Sequence, residues 1–250
     1  MYDKKFIDLI CSIKTFKQFC SKLNDVEKNK TRGTYFEYFA QLIFLNDPRY
    51  NFVKKCWMLD DVPSKVLEHL KIPENDIGID LVIKTDMDEY YAVQVKYRKD
   101  ISTTINWDCL STFFGLTFGL SKNFKKGIFF TNTLDPNKYI KNNSNVINIL
   151  FNSLDDISEN TFIKIKNQLQ NSEKELIMYE PRDYQNRIIK KSVKYFHEND
   201  KGRLYMPCGT GKTLVCYWIS QELEKHKRVC IVVPSLYLLS QTYNTWCEMK

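Results

Sequence analysis

No apolar run in the chain approaches the roughly 20 residues that a membrane-spanning helix needs. The richest stretches, around Leu110–Leu120 and Val229–Leu239, are short and interrupted by polar residues. A secretory leader is not expected either, because lysine and aspartate keep breaking the apolar residues of MYDKKFIDLICSIKTFKQF. The eight cysteines never occur as C-x-x-C, and the three histidines, His69, His197 and His226, stand at no ligand spacing from them. That argues against a structural zinc site and against a disulfide framework. Internal repeats and low-complexity tracts are absent too. The expectation is a soluble cytoplasmic protein with reduced thiols and no membrane partner.

What is present is ordinary globular composition: 250 residues, 43% hydrophobic and 27% charged, enough for one or two domains. The formal charge is +7, which suits a polyanionic partner such as nucleic acid without demanding one.

Apolar residues recur at helical steps over residues 4–28. KNKTRG then reads as a break, with Thr34 capping a second helix, YFEYFAQLIFL, that ends at Asn46-Asp47-Pro48. Residues 63–72 suggest a short helix. IDLVIKT (79–85) and YYAVQVKYR (90–98) flank a turn-forming Asp86–Glu89 and read as a hairpin. STFFGLTFGLSKN follows as a helix, KGIFFTNT as a buried strand, VINILFN (146–152) as another strand, and a polar helix reaches about Gln170. This is a compact α/β domain, expected over residues 1–172.

Beyond a linker at residues 171–174, a second pattern is expected over 173–250. It comprises a helix RDYQNRIIKKSVKYFHEN, a strand GRLYMP, a loop CGTGKT, a helix LVCYWISQELEKH, a strand RVCIVVPS and a helix LYLLSQTYNTW. Strand, glycine loop, helix, strand is a βαβ unit, which implies a parallel sheet.

The loop Cys208-Gly209-Thr210-Gly211-Lys212-Thr213 is the sharpest local signal. Its glycines let successive main-chain N–H groups face an anion at a helix N-terminus. Lys212 would reach the β and γ phosphates of ATP, and the Thr213 hydroxyl would ligate Mg²⁺. The strict phosphate-loop pattern has a glycine five residues before Gly211, and Met206 stands there instead. RDYQ (182–185), MPCGTGKT (206–213) and VVPSLYLLSQT (232–242) together resemble the Q-motif region, motif I and motif Ia of superfamily-two helicases, closest to restriction-type and viral modules. The resemblance implies a RecA-like lobe in which Gln185 reads adenine, Gly209, Thr210, Gly211, Lys212 and Thr213 hold the phosphates and magnesium, and the segment around Ser235 touches a nucleic-acid backbone. Few residues follow Thr213, and none forms an acidic pair at a strand end. The expectation is the front end of a motor, truncated before its Walker B motif, which does not hydrolyse ATP alone.

In the first domain, Asp80 begins one arm of the hairpin, and Gln94 and Lys96 lie two residues apart on the other. The two-residue side-chain period lets all three share a face. A carboxylate, an amide oxygen and an ammonium group there suit Mg²⁺-dependent phosphodiester hydrolysis. Asp80 and Gln94 would hold the metal, while Lys96 would orient or deprotonate water and offset charge on the phosphate. The plainer alternative is a solvated hairpin face. RGTYFEYFAQLI, IGIDLVIK, AVQVKYR and KGIFFTNT, in that order over residues 30–152, resemble the Mrr-like branch of the PD-(D/E)xK nucleases. That implies a restriction-endonuclease-like mixed sheet flanked by helices, with DNA as substrate and a site of Glu37, Asp80, Gln94 and Lys96. Glutamine is a weaker cation ligand than glutamate. Lys96, Arg98, Lys99, Lys122, Lys125 and Lys126 would add basic charge around the site; Trp107, Phe113 and Phe114 read as core.

The sequence therefore reads as a DNA endonuclease joined to the first part of an ATP-binding helicase lobe. Two alternatives stay open: an inert nuclease fold that binds DNA and loads a helicase, and a P-loop ATPase unrelated to nucleic acid. RNA stays open as a substrate.

Overall fold

The computed structural model describes residues 2–72, 78–136, 138–141, 143–170, 179–207, 209–224 and 228–249. It divides into two compact units, residues 1–175 and 176–250. The expected linker at 171–174 lies outside the described residues.

The first unit opens with helices α1 (Lys4–Cys11), α2 (Phe16–Asn24) and α3 (Asn29–Asn46). The single helical pattern over 4–28 is thus two helices. Asp3 caps the first by accepting from Phe6 N–H, and Thr15 starts a new one by accepting from Gln18 N–H. A second correction concerns KNKTRG. It is not a break but the first turns of α3, and Thr34 lies inside the helix rather than at its cap. Gly33 lowers helix propensity there by only about 1 kcal/mol relative to alanine, which packing downstream outweighs. Phe16, Phe19, Phe36 and Phe39 are essentially buried, with Phe19 and Phe39 stacked at 4.2 Å. Phe36 also meets Phe130 of the sheet at 5.3 Å and the Tyr97 ring edge at 5.2 Å.

The sheet has five strands in sequence order: β1 (Val53–Met58), β2 (Leu81–Thr85), β3 (Tyr90–Lys96), β4 (Phe124–Thr131) and β5 (Val146–Ile149). The β1–β2 and β2–β3 pairs are antiparallel; β3–β4 and β4–β5 are parallel. The mixed sheet flanked by helices is as expected, apart from the unforeseen β1. That edge strand carries exposed Lys54 and Lys55, which disguise its apolar pattern. VINILFN is also shorter as a strand than its pattern, because α7 (Phe151–Asp155) begins within it.

Leu81, Ile83, Val93, Val95, Ile128 and Phe130 point into the core beneath α1–α3 and α8 (Glu159–Gln170). On the other face, Val82 and Ala92 pack with α4 (Ser64–Leu70) and with Phe113 of α5 (Asp108–Phe114). A wide π turn, Gly115–Leu120, continues α5, and α6 (Lys138–Lys141) precedes β5. Phe113 is core as expected, whereas Trp107 is 40% exposed.

Burial pushes the Cys20 thiol up from 9.0 to about 12, raises Cys56 further, and raises the Tyr97 phenol, which also faces Cys20. These groups are held neutral by the fold. Their stabilisation is complete below the ordinary thiol and phenol range and is lost as pH rises through the folded values. Melting temperature should stay level from about pH 7 to 9 and fall steadily above about pH 10. A level profile to about pH 12 would contradict this.

The second unit comprises α9 (Asp183–Phe196), α10 (Lys212–Glu224) and α11 (Leu236–Glu248). The three helices fall where the pattern placed them. The expected strands GRLYMP and RVCIVVPS do not form, so the βαβ arrangement is not present among the described residues. A strand exists only by pairing, and neither segment finds a partner here, leaving Tyr205 and Val232 more than four-fifths exposed.

Candidate active site and phosphate loop

Gly78 has φ of +103°, and a Cβ there would meet Phe113 N at 3.2 Å. Glycine is therefore needed both for the left-handed conformation and for the close approach to α5. Two residues on, Asp80 N–H donates to Val93 O at 2.9 Å, one step beyond the Leu81↔Val93 pair. That register sets Asp80 opposite Gln94, and Lys96 follows on the same face. The Val95 N–H, past the end of β2, finds its acceptor in Asp80 Oδ2 at 2.6 Å. The carboxylate is thereby held against the strand that carries Gln94 and Lys96.

Gln94 is 2% exposed, and its Oε1 has no hydrogen-bond partner among the described residues. Such an orphan ordinarily costs about 1–3 kcal/mol. An amide oxygen on the same sheet face as a carboxylate is the kind of oxygen donor pair that a hard cation takes. Mg²⁺ fits this donor set. No cluster of three or more His, Cys, Asp or Glu exists among the described residues that could hold a metal another way.

Lys96 lies at the open end of β3, where a cleft of about 400 Å³ is lined by Asn29, Arg32, Gly33, Glu37, Lys96 and the segment Tyr97–Lys99. Glu37 reaches it from α3. Phe36 pins that helix to the sheet, and the next position turns toward the cleft. Glu37 and Lys96 thus share the cleft, whereas Asp80 and Gln94 are not among its lining residues and join Lys96 only through the hairpin register. Gly33 is four residues before Glu37, and a Cβ there would sit 3.9 Å from Glu37 Oε1. Gly33→Ala should fit and stabilise the helix by about 0.5–1 kcal/mol. Thermal melts of wild type and Gly33→Ala check the expected gain.

The expected basic surround is corrected in part. Arg98 and Lys99 line the cleft, but Lys122, Lys125 and Lys126 do not. β3 and β4 are parallel, with Tyr90 beside Phe124 and Lys96 beside Thr131. Lysines at the start of β4 therefore lie at the far end from Lys96. Lys125 pairs with Glu89 and Lys126 donates to Ser144 O.

Two contributors escaped the sequence reading. Arg32 lay in the stretch read as a break. Asn132, fully buried, accepts from Arg98 N–H at 2.7 Å and donates to Arg98 O at 2.6 Å. It extends the β3–β4 ladder by one side chain and fixes where Arg98 leaves the strand. Nothing local marks an asparagine after a strand for this task.

In the second unit, Gly209 and Gly211 have φ of +77° and +76°. They wind the loop into the N-terminus of α10; Cys208 lies outside the described residues. Thr213, in the first turn, lines a cavity of about 450 Å³ with Gly209, Gly211, Lys212 and, from α11, Gln241 and Thr245. Lys212 Nζ donates to Met206 O (3.3 Å) and Pro207 O (3.0 Å). Gln185 is buried, with Oε1 accepting from Arg182 N–H and Nε2 donating to Thr210 O, which Tyr184 OH also reaches. Its amide supports the loop from beneath. Positive-φ glycines, a helix N-terminus and a lysine held by two main-chain carbonyls fit a nucleotide phosphate.

Residues 45–175 match a family model described as restriction endonuclease, of the Mrr catalytic type. Residues 178–250 match one described as type III restriction enzyme, res subunit. No curated protein matches the chain. Among solved structures, the ATP-dependent Type ISP restriction-modification enzyme LlaBIII bound to DNA is similar in fold, with a TM-score of 0.70 at 23% identity over 92% of this chain. The chain spans 15% of the length of that enzyme.

Proposed function

The chain belongs to the restriction endonuclease family whose model covers residues 45–175, and on that premise we propose that its first unit is a Mg²⁺-dependent DNA endonuclease joined to an ATP-binding, helicase-type segment. The observation that carries this reading is the orphaned, buried Gln94 Oε1 set opposite Asp80 and two residues from Lys96.

Asp80 and Gln94 would hold the metal, and the Val95 N–H fixes the aspartate's orientation toward it. When bound, Mg²⁺ supplies a Lewis acid for the phosphate and lowers the pKa of a bound water. Lys96, on the same face at the mouth of the cleft, orients the attacking water and offsets the charge that grows on the phosphate oxygens. Glu37 faces the same cleft and positions water through its carboxylate. In the second unit, Lys212 would exchange its two carbonyl partners for ATP phosphates, Thr213 would ligate the accompanying magnesium, and the Gly209–Gly211 main chain would cradle the anion. Support for a nucleic-acid substrate comes from the basic cleft and from LlaBIII, which is described as ATP-dependent and bound to DNA.

Plasmid cleavage by the chain, with Mg²⁺ or EDTA and without ATP, tests this. Wild type should cut only with the metal, and Asp80→Ala should not cut while still binding DNA at low salt. Cutting that persists in EDTA or in Asp80→Ala would remove Asp80 from the chemistry. Salt-sensitive binding with no cutting by wild type would favour the inert loading module instead. The glutamine at position 94, a weaker cation ligand than a carboxylate, is the feature that recommends that rival.

A further inference from the structure

Arg32 is 6% exposed, yet it is among the residues that line the cleft with Lys96, Arg98 and Lys99. Its hydrogen-bond partners among the described residues are both neutral: Nη1 donates to Val26 O at 3.0 Å, and Nη2 donates to Asn29 Oδ1. Among the described residues no carboxylate forms an ion pair with it. Those two bonds use two of the five N–H donors that a guanidinium carries. A buried cation without a counter-ion is costly, and its planar fork matches the oxygens of a phosphate. The cleft itself supplies four cations against the single carboxylate of Glu37.

We propose that Arg32 binds a non-scissile phosphate of the DNA backbone, on the wall of the cleft opposite the strand that bears Lys96. The inference rests on the nucleic-acid reading of this cleft and adds to it a residue and a register. Lys96 and the metal ligands, on the sheet, address the phosphate that is cut. Arg32 comes from α3 and holds a neighbouring one, so that the duplex is fixed at two points. Asn29 and Val26 O hold the guanidinium plane, and Gly33, lacking a side chain, keeps the approach beside it open.

The test is fluorescence anisotropy of a short labelled duplex with the full chain in EDTA, across a KCl series, with thermal melts alongside. Arg32→Gln should weaken binding at low salt roughly ten-fold and flatten the slope of log K against log salt by about 0.9. Lys30→Gln, the same charge change on the exposed side of α3, should leave affinity and slope near wild type. An unchanged slope in Arg32→Gln, with only a lower melting temperature, would make Arg32 a strut for the α2–α3 turn and overturn the proposal. Should Arg32→Gln fail to fold, Arg32→Lys decides: charge without the fork should preserve the slope and lower affinity, and wild-type affinity would overturn it. Failure of the nuclease reading is distinguishable. Wild type that binds with the expected slope but does not cut leaves the Arg32 site standing. Cutting by wild type together with an unchanged slope in Arg32→Gln removes the Arg32 site alone.

Discussion

Lys96→Ala should reduce Mg²⁺-dependent DNA cleavage by about 10²–10³-fold, the usual consequence of removing one preorganised donor from a developing oxyanion. Binding should change far less, because the variant loses at most one phosphate contact, or about 0.9 in salt slope. The two effects separate because Lys96 sits at the end of β3 on the face shared by Asp80 and Gln94, while Arg98, Lys99 and Arg32 continue to line the cleft. The fold should tolerate the change, since Lys96 is only half-buried and forms no ion pair among the described residues. Single-turnover cleavage beside anisotropy measures both quantities. A parallel loss of binding and cutting would make Lys96 a docking residue; undiminished cutting would remove it from the site.

The second large effect is expected at the phosphate loop. Gly211→Ala forces an alanine into φ of +76° and places its Cβ 2.7 Å from Gln185 Nε2. The backbone strain alone is about 1–2 kcal/mol. The side chain that would have to yield is bonded at both ends, to Arg182 N–H and Thr210 O. ATP binding should weaken by at least about ten-fold, more than in Gly209→Ala, where the same φ strain meets open space. Calorimetric titration of ATP with Mg²⁺ into both variants gives the comparison. Equal affinities would mean that the Gln185 contact does not hold the loop.

The hairpin and its Q-x-K spacing were legible because side-chain direction in a strand has a fixed period of two, so a turn at Asp86–Glu89 decides the register. That Asp80, Gln94 and Lys96 can share a face followed from local pattern; that Asp80 stands opposite Gln94 is set by the observed pairing. The cleft wall did not follow from local pattern. A helix starting at Asn29 has no side-chain cap and contains Gly33, both of which read as a break. What overrides them is the Phe36–Phe39 packing, a tertiary term, and with the helix start went Arg32. The β1 edge strand was hidden by Lys54 and Lys55. Lys125 and Lys126 were misplaced for another reason: the parallel sense of β3 and β4, which sets them at the wrong end, is a property of the sheet. In the second unit the converse holds. GRLYMP and RVCIVVPS carry strong strand composition and form no strand, because composition supplies preference and only a partner supplies the ladder.

A crystal of the chain soaked in Mn²⁺ tests the central claim most directly, through the anomalous scattering of the ion. A peak is expected within coordination distance of both an Asp80 carboxylate oxygen and Gln94 Oε1, lost in crystals of Asp80→Ala. A map without that peak, or with Gln94 Oε1 bonded to protein and the ion elsewhere, would contradict the assignment of this hairpin as a metal-dependent nuclease site.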